Sequence, residues 1–215
     1  MSIIGRTIKN VIKKLLFLVP FMKTLEFFFL ERTREQGENL NTLPSVNGKF
    51  YFRQGNYDED YQDICTAIPD ELFPEMSINE RNKIILDRFD KGILCFVVRE
   101  NGNSTQYNTA PLVAAMWATQ EAYWFLPRYP EGTTYSITNL FVVENARGQG
   151  LSNFLLQNAV QWLFEQTDCQ ALLSIVLNSR EASLKSHLRV GFKILGKQYL
   201  RHIGNYWHLE FKKTE

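Results

Sequence analysis

The hydrophobic pattern from residue 49 onwards alternates between strand-like and helix-like segments. Short apolar runs and alternating patterns predict strands at 50–53, 92–98, 112–125, 133–143, 171–177, 192–199 and 203–211. Apolar residues at helical spacing predict helices at 58–68, 78–90, 151–165 and 181–190. The resulting order, β-α-α-β-β-β-α-β-α-β-β, is a mixed α+β pattern in which helices flank a central sheet.

The first 30 residues have a different pattern. Apolar residues recur at helical spacing between Ile4 and Leu16, and basic residues lie largely on the opposite face. The uncharged apolar run from Leu15 to Met22 is interrupted by Pro20 and is too short to span a bilayer. We therefore expect residues 1–30 to form an amphipathic helical extension.

Three roles remain open for this extension. It can lie in the plane of an anionic membrane, pack on a partner or on the domain itself, or act as a cleaved signal, although no small-x-small cleavage site follows. Residues 31–48 are polar and contain Gly37, Pro44 and Gly48, which predicts a linker. The domain is expected to occupy residues 49–215.

Charge and cysteine content narrow the class of protein. The formal net charge is +1, so no overall electrostatic attraction to nucleic acid is expected. Cys65, Cys95 and Cys169 are far apart and form no Cys-x-x-Cys pair, so we expect neither disulfides nor a metal site. Reduced thiols are typical of a cytoplasmic protein, and this is the expected location.

A glycine-rich turn stands between the strand at 133–143 and the helix at 151–165. Gly148 and Gly150 carry no side chain, so backbone N–H groups can approach a ligand where the helix begins. Free amides and the positive end of the helix dipole form an anion site suited to phosphates. The chain lacks the Gly-Lys-Ser/Thr of a Walker loop, and the turn lacks the third glycine and early position of a dinucleotide fingerprint.

The stretch from Asn139 to Leu156 resembles the acyl-CoA signature of the GNAT superfamily of N-acyltransferases. That signature is written Arg/Gln-x-x-Gly-x-Gly/Ala after a strand ending in Leu-x-Val, and Arg147, Gly150 and Ser152 fill its marked positions. Ser152 replaces Gly or Ala, and its hydroxyl offers a further phosphate contact. The resemblance implies coenzyme A binding by Leu140, Phe141, Val142, Val143, Arg147, Gly148, Gln149, Gly150, Leu151 and Ser152.

A second stretch, Asn178 to Phe192, is similar to the second GNAT motif, Asn-x-x-Ala/Ser-x-x-x-Tyr-x-Lys-x-Gly-Phe. Counted back from Gly191-Phe192, Ser183 takes the Ala/Ser place and His187 the Tyr place. The Asn place falls on Arg180, with Asn178 two residues early. The resemblance implies that Asn178, through a local bulge, holds the pantetheine, or that Arg180 reaches a phosphate. Further coenzyme-binding candidates are Asn178, Arg180 and Ser183.

His187 and Asn139 are the catalytic candidates. The family's tyrosine is thought to protonate the leaving thiolate, and a histidine with a reference pKa of about 6.5 can do the same. The alternative is that His187 packs or caps near the helix end. Asn139, with Thr138, stands where many relatives carry Glu or Asp, and neither is a base at neutral pH.

The general base is therefore unassigned. The nearest carboxylates by sequence are Glu121 and Glu144, which can equally be solvated surface groups. An amide N–H of the strand around Phe141 is expected to polarise the thioester carbonyl. The acceptor pocket is expected to use the first two helices and the aromatic segment 123–132, which can alternatively be a loop packed over the sheet edge.

The resemblance covers residues 49–211 and implies the GNAT fold, a mixed, mostly antiparallel sheet that splays after the glycine-turn strand. It implies transfer of acetyl from acetyl-CoA, without a metal, to a primary amine of a small molecule, sugar or protein through a ternary complex. The alternatives are a non-catalytic CoA-binding scaffold or regulator, and an O-acyltransferase on a sugar hydroxyl in envelope or exopolysaccharide synthesis. Residues 1–30 suggest contact with the inner membrane face or a partner protein.

Overall fold

The computed structural model describes residues 24–35, 48–73, 75–101, 110–120, 129–203 and 206–213. Its strands are β1 (Thr24–Thr33), β2 (Phe50–Gln54), β3 (Leu94–Glu100), β4 (Leu112–Gln120), β5 (Thr134–Val142), β6 (Ala171–Leu177), β7 (Lys193–Ile203) and β8 (Tyr206–Lys213). Its α-helices are α1 (Tyr57–Ala67), α2 (Ile78–Asp90), α3 (Leu151–Gln166) and α4 (Glu181–Arg189). From β2 onwards, the element order is the one that the hydrophobic pattern predicts.

The described strands form one sheet in the order β2-β3-β4-β5-β6-β1-β7-β8. Neighbouring strands are antiparallel except β5 and β6, which are parallel. One apolar cluster joins α3 to one face of the sheet, where Leu155 and Val160 meet Phe96 and Ile137. A second cluster joins α1 and α2 to the other face through Ile64, Ile85 and Trp117. The predicted mixed, mostly antiparallel sheet between helices is confirmed.

The parallel pair β5 and β6 separates partway along its length. Pairing runs only from Thr134 with Ala171 to Ile137 with Ser174, whereas the two strands continue to Val142 and Leu177. The strands therefore splay towards their carboxyl ends, as the resemblance implies. Among the described strands, none pairs with the β6-facing edge of β5 beyond Ile137.

Residues 24–33 correct the predicted domain boundaries. They form β1, a central strand that pairs with both β6 and β7, so the expected helix is wrong for 24–30 and the expected linker is wrong for 31–33. A short apolar run such as Phe27–Leu30 fits a strand or a helix by periodicity, and tertiary pairing decides between them. Residues 1–23 and 36–47 lie outside the described residues, and so do those parts of the two predictions.

Glu31 and Arg32 made the end of β1 resemble a linker, yet both side chains are buried. Arg32 is 1% exposed and donates a hydrogen bond to the carbonyl of Val190 at the end of α4. Burial lowers the pKa of Arg32 to about 10, so it stays charged at neutral pH. A cation is favourable at that negative end of a helix dipole. Glu31, on the opposite face of β1, accepts a hydrogen bond from the Tyr129 hydroxyl at 2.9 Å.

Candidate active site

The glycine turn lies where β5 leads into α3. Gly148 has φ +80° and Gly150 has φ +77°, both in the left-handed region that residues with a Cβ disfavour. Gly150 is the N-cap of α3, and no side chain caps the helix there. Ala146 and Leu151 are buried on either side, so the exposed glycines are anchored at both ends.

The helix start is electrostatically suited to an anion. The first N–H groups of an α-helix have no intrahelical acceptor, and at α3 no capping side chain satisfies them. The first turn of α3 contains no acidic residue. Arg147 adds an exposed guanidinium, whose Nε lies 3.4 Å from the Val142 carbonyl oxygen. Together these groups can hold the phosphates of a nucleotide.

Ser152 has a different contact from the expected one. Its hydroxyl lies 3.0 Å from the hydroxyl of Ser186 and joins the first turn of α3 to α4. The contact places α4 beside the glycine turn. A phosphate contact from Ser152 stays a prediction.

β5 contains a bulge at the level where it leaves β6. Trp117 of β4 pairs with Thr138, and Ala115 pairs with Phe141, so Asn139 and Leu140 both face the single residue between them on β4. Asn139 takes up the extra length with φ +50°, a conformation that asparagine tolerates better than most residues. The candidate residue Asn139 therefore lies at the start of the splay.

The second motif begins at the carboxyl end of β6, the splayed end of the sheet. The Asn178 backbone N–H donates to the Glu26 carbonyl at 2.9 Å, and its side-chain amide donates to Glu26 Oε2 at 3.4 Å. Glu26 is also paired with Lys197 at 2.6 Å. Arg180 is half exposed and lies 3.2 Å from Glu71. The fold thus brings both candidates, Asn178 and Arg180, to the splayed end.

The Gly-Phe pair of this motif terminates α4. Gly191 has φ +88° and donates from its N–H to the Leu188 carbonyl at 3.0 Å. Phe192 donates to the His187 carbonyl at 3.0 Å, which completes a Schellman motif. The ring of Phe192 packs on that of His187 with centroids 5.1 Å apart.

His187 is buried, and both of its ring nitrogens have partners. Nδ1 lies 2.8 Å from the Ser183 carbonyl, which can only accept, so Nδ1 carries the hydrogen. Nε2 then accepts from the Ser174 hydroxyl at 2.9 Å. Burial lowers the pKa of His187 and outweighs the hydrogen bond to Ser183. These contacts favour the packing alternative, and the acid role stays a prediction.

The lowered pKa of His187 predicts a pH dependence of stability. Between the unfolded value of about 6.5 and the lower pKa of the folded state, the unfolded chain binds a proton at His187 that the folded chain does not bind. The free energy of unfolding should therefore fall as the pH drops below 6.5, by up to about 1.4 kcal/mol per pH unit. Urea unfolding at several pH values should show a shallower slope for His187→Gln. An unchanged slope would contradict the assignment.

Arg88 is a site residue that the sequence did not indicate. Its Nη2 donates to Asn139 Oδ1 at 2.7 Å, and its guanidinium carbon lies 4.9 Å from the centre of the Trp117 ring. In the sequence, Arg88 is simply a basic residue in the last turn of a helix, where basic residues are common. No local signal distinguishes it.

Several predicted residues fall elsewhere or are not described. Glu144 begins a short 3-10 helix between β5 and the glycine turn and is exposed. Glu121 and residues 123–128 of the aromatic segment lie outside the described residues. In the segments that are described, no group of three or more His, Cys, Asp and Glu side chains is placed to hold a metal ion. Among the described helices, none has the length and apolar character needed to cross a bilayer.

The sheet opens between β5 and β6, and the glycine-rich start of α3 lies beside this opening. These features fit the class of acyl-CoA-dependent acyltransferases that the sequence motifs resemble. The family model described as "Acetyltransferase (GNAT) family" matches residues 57–192. The chain therefore belongs to the GNAT acetyltransferase family. Membership supports acyl-CoA-dependent acyl transfer as the general class of activity. No curated protein matches the chain in sequence.

Solved structures share the fold at low sequence identity. A GNAT acetyltransferase from Colwellia psychrerythraea superimposes with a TM-score of 0.59 at 11% identity, covering 90% of this chain and 58% of its own. NAA60 of Arabidopsis thaliana, in complex with a bisubstrate analogue, gives 0.53 at 18% identity, covering 67% and 84%. AAC(6')-Iy with a CoA bisubstrate analogue gives 0.52 at 14%, covering 67% and 90%. The chain spans less than two thirds of the length of the Colwellia protein.

Proposed function

We propose that this chain transfers an acetyl group from acetyl-CoA to a primary amine of a small molecule, sugar or protein. The observation that carries the proposal is the uncapped, glycine-rich start of α3 beside the opening between β5 and β6. The turn suits a pyrophosphate, and the opening offers an unpaired strand edge to the amide-containing pantetheine arm. Acetyl-CoA would supply a thioester already activated towards an amine.

The residues around the opening have separable roles. Arg147 and the amides from Gly148 to Ser152 would hold the phosphates. The β6-facing edge of β5 beyond Ile137 would bind the pantetheine amides and direct an N–H at the thioester carbonyl. Asn178 and Arg180 would bind from the β6 side after exchanging their present partners, Glu26 and Glu71.

Once the thioester and the amine are aligned, acyl transfer needs few catalytic side chains. The neutral amine nitrogen attacks the carbonyl carbon and forms the carbon–nitrogen bond, and the carbon–sulfur bond breaks. The proton that the nitrogen loses is balanced by the one that the departing thiolate takes up. Alignment supplies much of the rate because the thioester is already reactive. No side chain is assigned as the base, and His187 stays a candidate proton donor despite its contacts with Ser174 and Ser183.

We also propose a membrane location for the acceptor, on the basis of the amphipathic pattern in the N-terminal sequence. β1 begins at Thr24, close to Glu26, and the Glu26 carbonyl accepts from Asn178 at the splayed end of the sheet. The described chain therefore begins at the splayed end of the sheet, and the proposed acceptor is one at an anionic membrane surface. Failure of the full chain to sediment with anionic vesicles would contradict the membrane part of the proposal. A truncation must start at residue 24, because β1 is central to the sheet.

A panel of acceptors tests the proposal. The full chain is incubated with acetyl-CoA and with matched amines and alcohols, namely amino sugars and their hydroxyl analogues, aryl amines and peptides. We expect thiol release that depends on an amine and an acetylated product that survives mild base. An alkali-labile product on hydroxyl acceptors would instead support the O-acyltransferase. Tight binding of acetyl-CoA without thiol release would support the non-catalytic scaffold.

A further inference from the structure

The bulge in β5 lies at the point where the strand has lost its β6 partner. The last β5 residue paired with β6 is Ile137, and the two residues that share one β4 partner position are Asn139 and Leu140. A bulge disrupts the ladder on its own strand. The backbone N–H groups at Asn139 and Leu140 can therefore face the opening between β5 and β6. Their direction depends on the backbone conformation of the bulge.

That conformation is less favourable than extended backbone, although asparagine tolerates it better than most residues. Asn139 has φ +50°, and left-handed backbone carries a steric cost for a residue with a Cβ. If Asn139 were extended, the bulge would be lost and Leu140 and Phe141 would shift by one residue relative to β4. Such a shift reverses the direction of each side chain and amide. A second interaction is therefore needed to keep the bulge in place.

Arg88 makes that interaction from a fixed position. Its Nη2 donates to Asn139 Oδ1 at 2.7 Å. Its guanidinium carbon lies 4.9 Å from the Trp117 ring centre and 5.9 Å from that of Phe73. Trp117 is fully buried and pairs with Thr138, the residue before the bulge. The contacts with Trp117 and Phe73 hold the guanidinium of Arg88 against the side chain of Asn139.

We propose that Arg88 is a positioning residue for acyl transfer, which holds Asn139 in the left-handed conformation so that β5 amides point at the thioester carbonyl. The proposal rests on the proposed function and adds a residue from α2 that would act without contacting the coenzyme or the acceptor. In this role Arg88 influences the reaction through Asn139, so its effect on the carbonyl should disappear when residue 139 no longer needs to be held.

The test replaces Arg88 with methionine, which can pack on Trp117 but cannot donate a hydrogen bond. The readout is the infrared stretch of carbonyl-labelled [1-13C]acetyl-CoA bound to the full chain. In the wild type we expect a shift to lower frequency relative to free acetyl-CoA, because hydrogen bonding polarises the carbonyl. In Arg88→Met that shift should be lost, and kcat should fall about 100-fold while the Kd for acetyl-CoA changes less than about threefold.

A double-mutant cycle separates positioning from other roles. Glycine adopts positive φ readily, so Arg88→Met should have little effect in an Asn139→Gly background. Arg81→Met is the matched control, since it removes the same charge from α2, and Arg81 pairs with Asp70 rather than with β5. Thermal unfolding verifies that each variant is folded, and Arg88→Ala repeats the test if the methionine variant is not.

Two results would overturn the proposal while acetyl-CoA still binds. One is an unchanged carbonyl shift in folded Arg88→Met. The other is an equal loss in the Asn139→Gly background, which would mean that Arg88 acts directly on a substrate. Absence of acetyl-CoA binding by the wild type is a separate result, which overturns the proposed function itself and this role with it.

Discussion

Replacing Asp60 with asparagine is expected to lower the free energy of unfolding by about 3 kcal/mol or more. Asp60 is fully buried. Its carboxylate accepts from Arg53 at 2.7 and 2.9 Å and from Arg99 at 2.7 and 3.2 Å, and its Oδ2 also accepts from the Asn56 N–H at 2.8 Å. This one side chain therefore joins α1 to β2 and β3.

The cost arises from the cation that remains. Arg99 is 1% exposed, and removing the charge of its buried partner leaves its guanidinium paired with Asp63, which is half exposed. An asparagine also turns an N–H group towards guanidinium N–H groups in place of one acceptor. The buried charge of Arg99 is then compensated only by this half-exposed partner, and loss of a buried ion-pair partner is among the most destabilising changes that a point substitution makes.

Denaturant unfolding followed by circular dichroism measures this effect. Asp58→Asn is the control, because Asp58 lies in the first turn of the same helix but is exposed, and we expect it to cost less than about 1 kcal/mol. If the Asp60 and Asp58 variants were equally stable, the buried charge network would not have the importance assigned to it.

The second large effect is expected at the glycine turn. Gly150→Glu should weaken acetyl-CoA binding by at least about 100-fold, which is about 2.7 kcal/mol. A Cβ at Gly150 meets no atom within 4 Å, so the protein should still fold, although φ +77° is strained for glutamate. The new carboxylate then lies where the coenzyme phosphates would bind, and it occupies the positive end of the α3 dipole.

Gly92→Glu is the matched control for this experiment. Gly92 has φ +65° and also meets nothing within 4 Å, so the substitution causes similar strain and adds the same charge. Gly92 precedes β3, which runs in the same direction as β5, and the first β3 residue, Leu94, is level with Ile137 through Ala118. Gly92 therefore lies towards the amino end of β5, away from the turn. Binding should be unchanged in Gly92→Glu. Equal losses in both variants would point to folding or net charge rather than to the turn.

The sequence predicted the elements from β2 to β8 because their signals are local. Period-two and helical patterns, the Ser77 cap of α2 and the glycines that follow helices all act within a few residues. β1 was missed because its partners, β6 and β7, are more than a hundred residues away in sequence. Its buried Glu31 and Arg32 resemble linker residues until the fold supplies Tyr129 and Val190.

The candidate site also contains features with local sequence signals and features that depend on residues distant in sequence. The glycine turn and the glycine of the Gly-Phe pair could be recognised because Gly148, Gly150 and Gly191 each adopt a left-handed backbone conformation that favours glycine. The link from Arg88 to Asn139 joins positions 51 residues apart and leaves no pattern in the sequence. The environment of His187 could not be predicted either, because Ser174 lies on a strand that precedes α4 and faces it only in the folded sheet.

Titration of acetyl-CoA into the purified full chain by calorimetry tests the central claim most directly. The account predicts saturable binding in the micromolar range, with one site per chain, that is retained in Gly92→Glu and lost in Gly150→Glu. Absence of measurable heat and of ligand-induced stabilisation in a folded wild-type protein would contradict the claim that the turn between β5 and α3 holds the coenzyme.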